Sequence, residues 1–369
     1  MLAEQYLQRY RERGDVGDVL RSEAAAQRSL RIDAHGNIAA LQALSAAQLT
    51  LHRFRDALAT TRRARREAPR DPSLALAEAA LRLELGDRGA AQRALSEAGD
   101  SGADSAVASR FAELTGDLPR ARRLLAAAAA HADATYGIPN ERRAWFHVRL
   151  GELAFAAGDL DVAQAEEKTA LERFPEDVAA LTDTARFSAA LGRWNDTAAY
   201  AGRAVRLVPS PENLALLGSA QARLGAAAAA RATLDEIVAV ERLGNAQHLV
   251  DRLLALAYAD RGVRLEDAFA IACRELTVRD DVFAEDTLAW TAARAGHWEI
   301  ARTAARRATA WNTADSRIWY HAGVIAEHAG AEREALAEYR RALELNPHFD
   351  AVFADDARAR VSRLEHAGG

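Results

Sequence analysis

The residues best suited to metal or covalent chemistry are few and widely spaced. His321 and His328 are seven residues apart, which on a helix separates them by about 10 Å along the axis, too far to share one ion. Cys273 is the sole cysteine, so neither an intrachain disulfide nor a thiolate zinc site can form within the chain. Its surroundings are alanine and isoleucine, which is typical of a small buried hydrophobe. We therefore predict no metal and no cofactor.

Catalytic sequence motifs are equally scarce. The chain has no Gly-x-Ser-x-Gly elbow, no Gly-x-Gly-x-x-Gly loop and no His-Glu-x-x-His pair. Lys168 is the only lysine, and it lacks the glycines of a phosphate-binding loop. The neighbouring carboxylates of Glu166 and Glu167 have the pattern of charge on a helix surface. An enzyme is therefore the least favoured hypothesis for the function of this chain.

One run of arginines, Arg62-Arg63-Ala64-Arg65-Arg66, could bind phosphate. Similar pairs recur at Arg306-Arg307 and Arg340-Arg341, where they would lie near the C-terminal end of a helix and interact favourably with its dipole. This recurrence favours a solvent-facing stripe, and an acidic partner on that face stays an open alternative.

Composition indicates an all-α chain. Of 369 residues, 50% are hydrophobic but only 6% aromatic, and alanine, leucine, arginine and glutamate dominate, which favours helices over strands. The formal net charge of -5 argues against a nucleic-acid partner, because such proteins usually carry a basic excess. No stretch of 18 apolar residues occurs, so no membrane insertion is expected. Location stays unknown: cytoplasmic by default, exported if an upstream signal was removed.

A repeat of about 34 residues organises the chain. Its last unit places Trp319 at the fourth position and Gly323 at the eighth, where close helix packing leaves no room for bulk. Gly-Asp corners at 86–87, 116–117 and 158–159 supply a left-handed glycine and a capping aspartate. Small residues late in the second helices keep the same register: Ser29, Ala64, Ala98, Ala128, Ala170, Ala204, Ala308 and Ala342.

This register predicts about ten helical hairpins in one continuous solenoid over residues 1–349. Two places interrupt it. An inserted loop is expected near 132–140, and an irregular unit near 238–280, with helices predicted at 249–259 and 265–276. Residues 350–369 are predicted to form a C-terminal capping helix and a short tail.

The repeat resembles that of the tetratricopeptide-repeat (TPR) family, and segments such as Asp286-Thr287-Leu288-Ala289-Trp290 resemble uncharacterised bacterial TPR proteins. The resemblance implies an all-α, right-handed α-α superhelix with a concave groove for extended or helical peptides. Some relatives grip chain-end carboxylates with lysines and asparagines. This chain lacks that clamp, because Lys168 is predicted on a second helix.

In TPR units, places 2, 5, 9, 12 and 13 of the first helix generally face the groove. Reading those places and their edges yields the peptide-binding candidates, which are mainly aromatic or charged, the types that dominate interface energetics. They are Trp145, Arg149, Glu152, Asp183, Arg186, Asp286, Trp290, Arg294, Arg317, Tyr320, Glu327 and His328.

Two interpretations of the aromatic candidates stay open, because Trp145 and Trp290 could instead wedge between helices as core. The leading hypothesis for function is a non-catalytic scaffold that binds a protein or peptide in its groove. The alternative is a sensor or regulatory module that changes superhelical pitch on binding a ligand. Self-association through the solenoid ends also stays open.

Overall fold

The computed structural model describes residues 2–103, 105–246 and 252–367. Within these ranges the chain is helical and contains no strand. The helices are α1 (Leu2–Arg13), α2 (Val16–Ile32), α3 (Ile38–Thr50), α4 (Phe54–Glu67), α5 (Pro72–Glu84), α6 (Arg88–Glu97), α7 (Asp100–Ala103), α8 (Ala106–Leu114), α9 (Leu118–Ala134), α10 (Asn140–Ala156), α11 (Leu160–Arg173), α12 (Val178–Ala190), α13 (Trp194–Leu207), α14 (Pro211–Arg223), α15 (Ala227–Ala246), α16 (Arg252–Arg261), α17 (Leu265–Glu275), α18 (Val282–Ala295), α19 (Trp298–Thr309), α20 (Ser316–His328), α21 (Glu332–Leu345) and α22 (Phe353–Ala367).

Consecutive helices pack in pairs, such as α10 on α11, α18 on α19 and α20 on α21. The first helices also contact one another in order, from α10 through α12, α14, α16 and α18 to α20. A layer of first helices backed by a layer of second helices is the arrangement that the repeat predicts. The all-α fold of stacked hairpins is confirmed.

The chain divides into two compact units. Unit 1 comprises the described residues of Met1–Ala112, Arg123–Ala130 and Thr277–Asp281, and unit 2 comprises Glu113–Arg122, His131–Leu276 and the described residues from Val282 onwards. The α9–α10 connection, Thr135–Pro139, falls within the predicted insertion. Helix α16 is described from Arg252, and the start of its predicted span lies outside the described residues. The single continuous solenoid stays a prediction.

Small residues allow the two helices of a hairpin to approach closely. A Cβ atom on Gly323 would lie 2.7 Å from Cδ1 of Tyr339, and one on Gly218 would lie 2.6 Å from Cγ of Leu234. Both glycines occupy the eighth place of a first helix. Among the small residues late in second helices, Ala170, Ala204 and Ala342 are completely buried. The predicted register is therefore the packing register.

The three Gly-Asp corners serve a second purpose. Each glycine has positive φ, as a helix end requires, and each also lies against backbone from a later part of its own unit. Cβ atoms on Gly86 and Gly116 would overlap the carbonyl oxygens of Asp280 and Asn312, and one on Gly158 would lie 3.4 Å from that of Leu345. At these corners glycine is needed for room as well as for φ.

Hydrogen bonds stabilise the same contacts between the Gly-Asp corners and later segments of the chain. The amide of Asp280 donates to Glu84 O at 3.3 Å in unit 1. In unit 2, Thr313 Oγ1 donates to Leu114 O at 2.8 Å, and Asn346 Nδ2 donates to Phe155 O at 2.7 Å. Thr313 and Asn346 are buried, and each satisfies its polar side chain by donating a hydrogen bond to a helix end that is distant in sequence.

Candidate functional site

A cavity of about 430 Å³ lies within unit 2. Its walls are the first helices α12, α14, α16 and α20, the first residue of α13, the connection between α21 and α22, and the first residue of α22. This volume lies within the range of cavities that bind small molecules or a few side chains of a partner.

Helix α14 shows which places of a first helix line the cavity. Counting Pro211 as the first place, positions 2, 5, 9, 12 and 13 are Glu212, Ala215, Ser219, Ala222 and Arg223. All five line the cavity. The 3.6-residue period brings these places to one side of a helix, and here that side faces the cavity.

Apolar side chains form most of the wall. Leu216 on α14 and Leu253 and Leu256 on α16 face Phe349 and Val352 of the α21–α22 connection. Val352 is 53% exposed, and Ser219 is also exposed, so a bound segment can reach these walls from solvent. The cavity can therefore bury a bulky apolar group with little rearrangement.

The α21–α22 connection is held in place from both ends. Asn346 anchors it to the Phe155 carbonyl, as described above. Asp350 Oδ1 accepts hydrogen bonds from the amides of Val352 and Phe353, at 2.8 and 3.0 Å, and so caps α22. The wall that this connection contributes is thus fixed by one contact distant in sequence and by one local cap.

Two of the cavity's arginines are ion-paired. Arg186 Nη2 lies 2.6 Å from Asp183 Oδ1, and Arg317 Nη2 lies 2.7 Å from Asp260 Oδ2. Burial raises the pKa of Asp183, an effect that the Arg186 charge opposes. Asp260 also accepts a hydrogen bond from Trp290 Nε1 at 2.8 Å. These ion pairs position Arg186 and Arg317 and largely neutralise the charges of the two guanidinium groups.

Four of the predicted candidates on α18 and α20 form a packed cluster behind the cavity: Asp286, Trp290, Arg294 and Tyr320. Trp290 is 2% exposed and stacks on His321, with ring centroids 4.2 Å apart. His321 Nδ1 lies 3.0 Å from Asp286 Oδ1. Tyr320 is buried and donates its hydroxyl to Asp356 at 2.7 Å, while Arg294 donates to the carbonyl of Ala259 at 3.0 Å.

The remaining candidates lie on two separate surfaces of unit 2. On α10, Trp145 is 41% exposed, and Arg149 pairs with Glu113 at 2.8 Å and with Glu152. Near the C-terminus, Glu327 pairs with Arg360 and Arg363 and accepts from the Tyr339 hydroxyl, and His328 stacks on Trp298. Of the predicted set, Arg186 and Arg317 line the cavity, and whether any of the twelve binds a partner stays a prediction.

Several cavity residues were not predicted from the sequence. Glu212 and Arg223 occupy the second and thirteenth places of α14, two of the places expected to face a groove, so the register itself contained the signal. Asp260 lies in the unit whose register was blurred. Phe353 belongs to the segment predicted as a cap, and no local pattern indicates that it reaches the groove.

Glu167 corrects one expectation. It is 1% exposed, so the prediction that the Glu166-Glu167 pair is surface charge is wrong for this residue. Its side chain fills the space left by Gly151, and neither carboxyl oxygen has a hydrogen-bond partner among the residues that the structure describes. Burial, with the nearby Asp183 charge, raises the pKa of Glu167 to about 10, so this carboxyl is protonated at neutral pH.

Neither metal clusters nor spanning helices occur in the part of the chain that the structure describes. No group of three histidine, cysteine or acidic side chains there is arranged to hold a metal ion. Likewise, none of the described helices has the length and hydrophobicity needed to cross a membrane.

In unit 1, Arg62 and Arg65 of the arginine run pair with Glu78, at 3.2 and 2.6 Å.

Hairpins of helices in a register of about 34 residues, with small residues at the packing positions, define the fold class as an all-α helical repeat. No family model and no curated protein matches the sequence. Solved structures are similar at low identity. PilW, a type IV pilus biogenesis factor, is 20% identical with a TM-score of 0.46, covering 56% of this chain and 94% of its own.

Two further solved structures are similar over longer stretches of this chain. A tetratricopeptide repeat protein from Parabacteroides merdae is 16% identical with a TM-score of 0.38, covering 70% of this chain and 96% of its own. Yeast Tom70 is 11% identical with a TM-score of 0.35, covering 99% of this chain and 96% of its own. These likenesses concern the fold and say nothing of ligand or activity.

Proposed function

We propose that this protein is a non-catalytic binding module whose cavity in unit 2 takes a segment of a protein partner. The observation that carries the proposal is the placement of the cavity on groove positions of successive first helices. Five such positions on α14 alone line it, and α12, α16 and α20 contribute the rest of the helical wall. Repeat proteins present a continuous surface of this kind to their ligands.

The character of the wall supports binding rather than chemistry. Leu216, Leu253 and Leu256 provide apolar area, and Trp194 and Arg317 are of the types that contribute most to interface energetics. Arg186 and Arg317 are held by carboxylates. A rigid wall with its side chains already positioned lowers the entropic cost of binding.

A bulky substitution at the cavity tests the proposal. Ser219 is exposed at the ninth place of α14, so Ser219→Trp fills the cavity without disturbing the core. Thr303→Trp on the outer surface of α19 is the matched control, since Thr303 is an exposed hydroxyl residue on a helix of the same unit. Affinity purification from the source cell, quantified by mass spectrometry, compares both variants with the unmodified chain.

The expected result is loss of a specific set of proteins with Ser219→Trp and their retention with Thr303→Trp. Circular dichroism and melting curves must show that both variants stay folded. An identical set of recovered proteins for all three chains would refute the use of this cavity.

A further inference from the structure

We propose that the cavity selects an acidic peptide segment, in which a bulky apolar side chain lies next to carboxylate side chains that contact Arg223 and Arg261. This inference deepens the proposed function and rests on it. It commits to a protein-borne ligand, because the cavity walls of Ser219, Arg223 and Val352 are exposed and leave room for the chain to continue on either side.

Arg223 and Arg261 occupy equivalent places. Arg223 is the last residue of α14 and Arg261 the last residue of α16, and both line the cavity. Helices α14 and α16 are first helices of consecutive units and contact each other. Both guanidinium groups therefore lie at the same end of the groove, where the C-termini of the two helices meet the cavity.

Neither arginine has its charge neutralised. Among the described residues, no carboxylate lies within ion-pair distance of Arg223 or Arg261. Arg223 instead lies over the ring of Trp194, 5.2 Å from its centroid, which restricts the guanidinium to the cavity side. Burial lowers the pKa of Arg261, and the charge of Asp235, which is not within ion-pair distance, opposes this effect only in part.

The other charges of the cavity are already committed. Arg186 pairs with Asp183, Arg317 pairs with Asp260, and Asp350 caps α22. Burial raises the pKa of Glu212, an effect that the charges of Arg186 and Arg317 oppose in part. At the end of the groove where Arg223 and Arg261 lie, the charge offered to a ligand is therefore positive, and an anionic group complements it.

The apolar wall supplies the second half of the preference. Leu216, Leu253, Leu256 and Val352 surround a space large enough for one leucine, phenylalanine or tryptophan side chain with its neighbours. A carboxylate next to that side chain would lie at the end of the groove where the two arginines lie. A lysine or arginine there would meet like charge, so basic segments are rejected.

The test is a selection with a displayed library of random 12-residue peptides, followed by fluorescence polarisation with the enriched peptides synthesised as C-terminal amides. Amidation removes the chain-end carboxylate, so any acidic preference reports on side chains. Three chains are compared: the unmodified protein, Arg223→Gln/Arg261→Gln, and a control, Arg302→Gln/Arg306→Gln, which removes two exposed charges from α19 outside the cavity.

We expect enriched peptides with a bulky apolar residue beside one or more acidic residues. Two exposed arginine–carboxylate contacts are worth about threefold in affinity each, so the cavity pair of substitutions should weaken binding about tenfold and the control pair by less than twofold. Arg223→Glu/Arg261→Glu should invert the preference towards peptides in which lysine replaces the acidic residues. That gain of binding cannot arise from misfolding.

Failure of the acidic preference can be distinguished from failure of the proposed function. Peptides that lose binding with Ser219→Trp but are neutral or basic would overturn the acidic preference and leave the proposed function standing. Absence of any peptide whose binding depends on Ser219 would overturn both. Equal binding of a fatty acid or another small carboxylate, with no peptide enriched, would also contradict a protein-borne ligand.

Discussion

Replacing Gly323 with alanine tests the packing register directly. The new Cβ would lie 2.7 Å from Cδ1 and Cε1 of Tyr339 and 3.1 Å from its Cζ, so the ring must move by about 1 Å to reach ordinary carbon–carbon contact. Tyr339 is completely buried, and its hydroxyl donates to Glu327 Oε2 at 2.8 Å. A ring shift of this size also strains that hydrogen bond.

The magnitude follows from three opposing effects. Overpacking a tight core costs about 1–3 kcal/mol. Disturbing the tyrosine hydrogen bond costs about 1 kcal/mol, and the gain in helix propensity from glycine to alanine returns about 1 kcal/mol. The net expectation is a loss of about 1–3 kcal/mol in the free energy of unfolding.

Gly202→Ala is the matched control for this substitution. Gly202 lies within α13, and its added Cβ would have Arg206 Nη1 at 3.8 Å and Leu217 Cδ1 at 4.0 Å as nearest neighbours. We expect this variant to gain about 0.5–1 kcal/mol from helix propensity alone. Urea unfolding followed by circular dichroism measures both changes as shifts in the midpoint.

A coupled variant identifies the cause. If the clash is with the ring, Gly323→Ala should cost less in a Tyr339→Leu background than in the unmodified chain, because the smaller side chain leaves room. A Gly323→Ala variant as stable as the unmodified protein would refute the proximity of the eighth place to Tyr339. An equal cost in both backgrounds would refute the ring as the cause.

Three further substitutions are informative. The unmodified protein should lose stability as pH rises from about 4.5 towards 10, because the protonated buried carboxyl of Glu167 favours the folded state below its raised pKa. Glu167→Gln should remove this loss, which urea unfolding midpoints at pH 5 and pH 9 measure. Parallel pH dependence in the two chains would contradict it. Gly86→Ala should lower the free energy of unfolding by about 1–3 kcal/mol more than Gly192→Ala does. Both glycines have φ of +69°, but only a Cβ on Gly86 would overlap Asp280. Equal unfolding midpoints for the two variants would exclude that contact. Asn346→Ala should weaken binding at the cavity and raise hydrogen exchange in residues 347–352, whereas unchanged exchange would show that the wall does not need this side chain.

The repeat made much of the fold predictable. Trp319 and Gly323 indicated the first-helix register, and the Gly-Asp corners indicated where hairpins turn, because local geometry dictates both features. Asp87 and Asp117 cap their helices as expected, through Ala90 and Arg120. Asp159 makes no such cap and pairs with Arg122 instead, a choice that depends on a neighbouring helix.

The site was predictable only where the register was clear. Arg186 and Arg317 follow from groove places in regular units, and both line the cavity. Asp260 belongs to a unit with a weak pattern, and Phe353 reaches the cavity because Asn346 is held at Phe155. Contacts between segments about 190 residues apart leave no periodic trace in a sequence. The burial of Glu167 likewise depends on the space at Gly151 across the hairpin.

Photo-crosslinking from inside the cavity is the most direct test of the central claim that this cavity binds a protein partner. A benzophenone amino acid is placed at Ser219 on α14 and, as control, at Thr303 on α19, and crosslinked peptides are identified by mass spectrometry in the source cell. We expect a defined partner segment joined to position 219, rich in acidic and apolar residues, and no such segment joined to position 303. Crosslinks that are equal at both positions, or that arise only at Thr303, would contradict it.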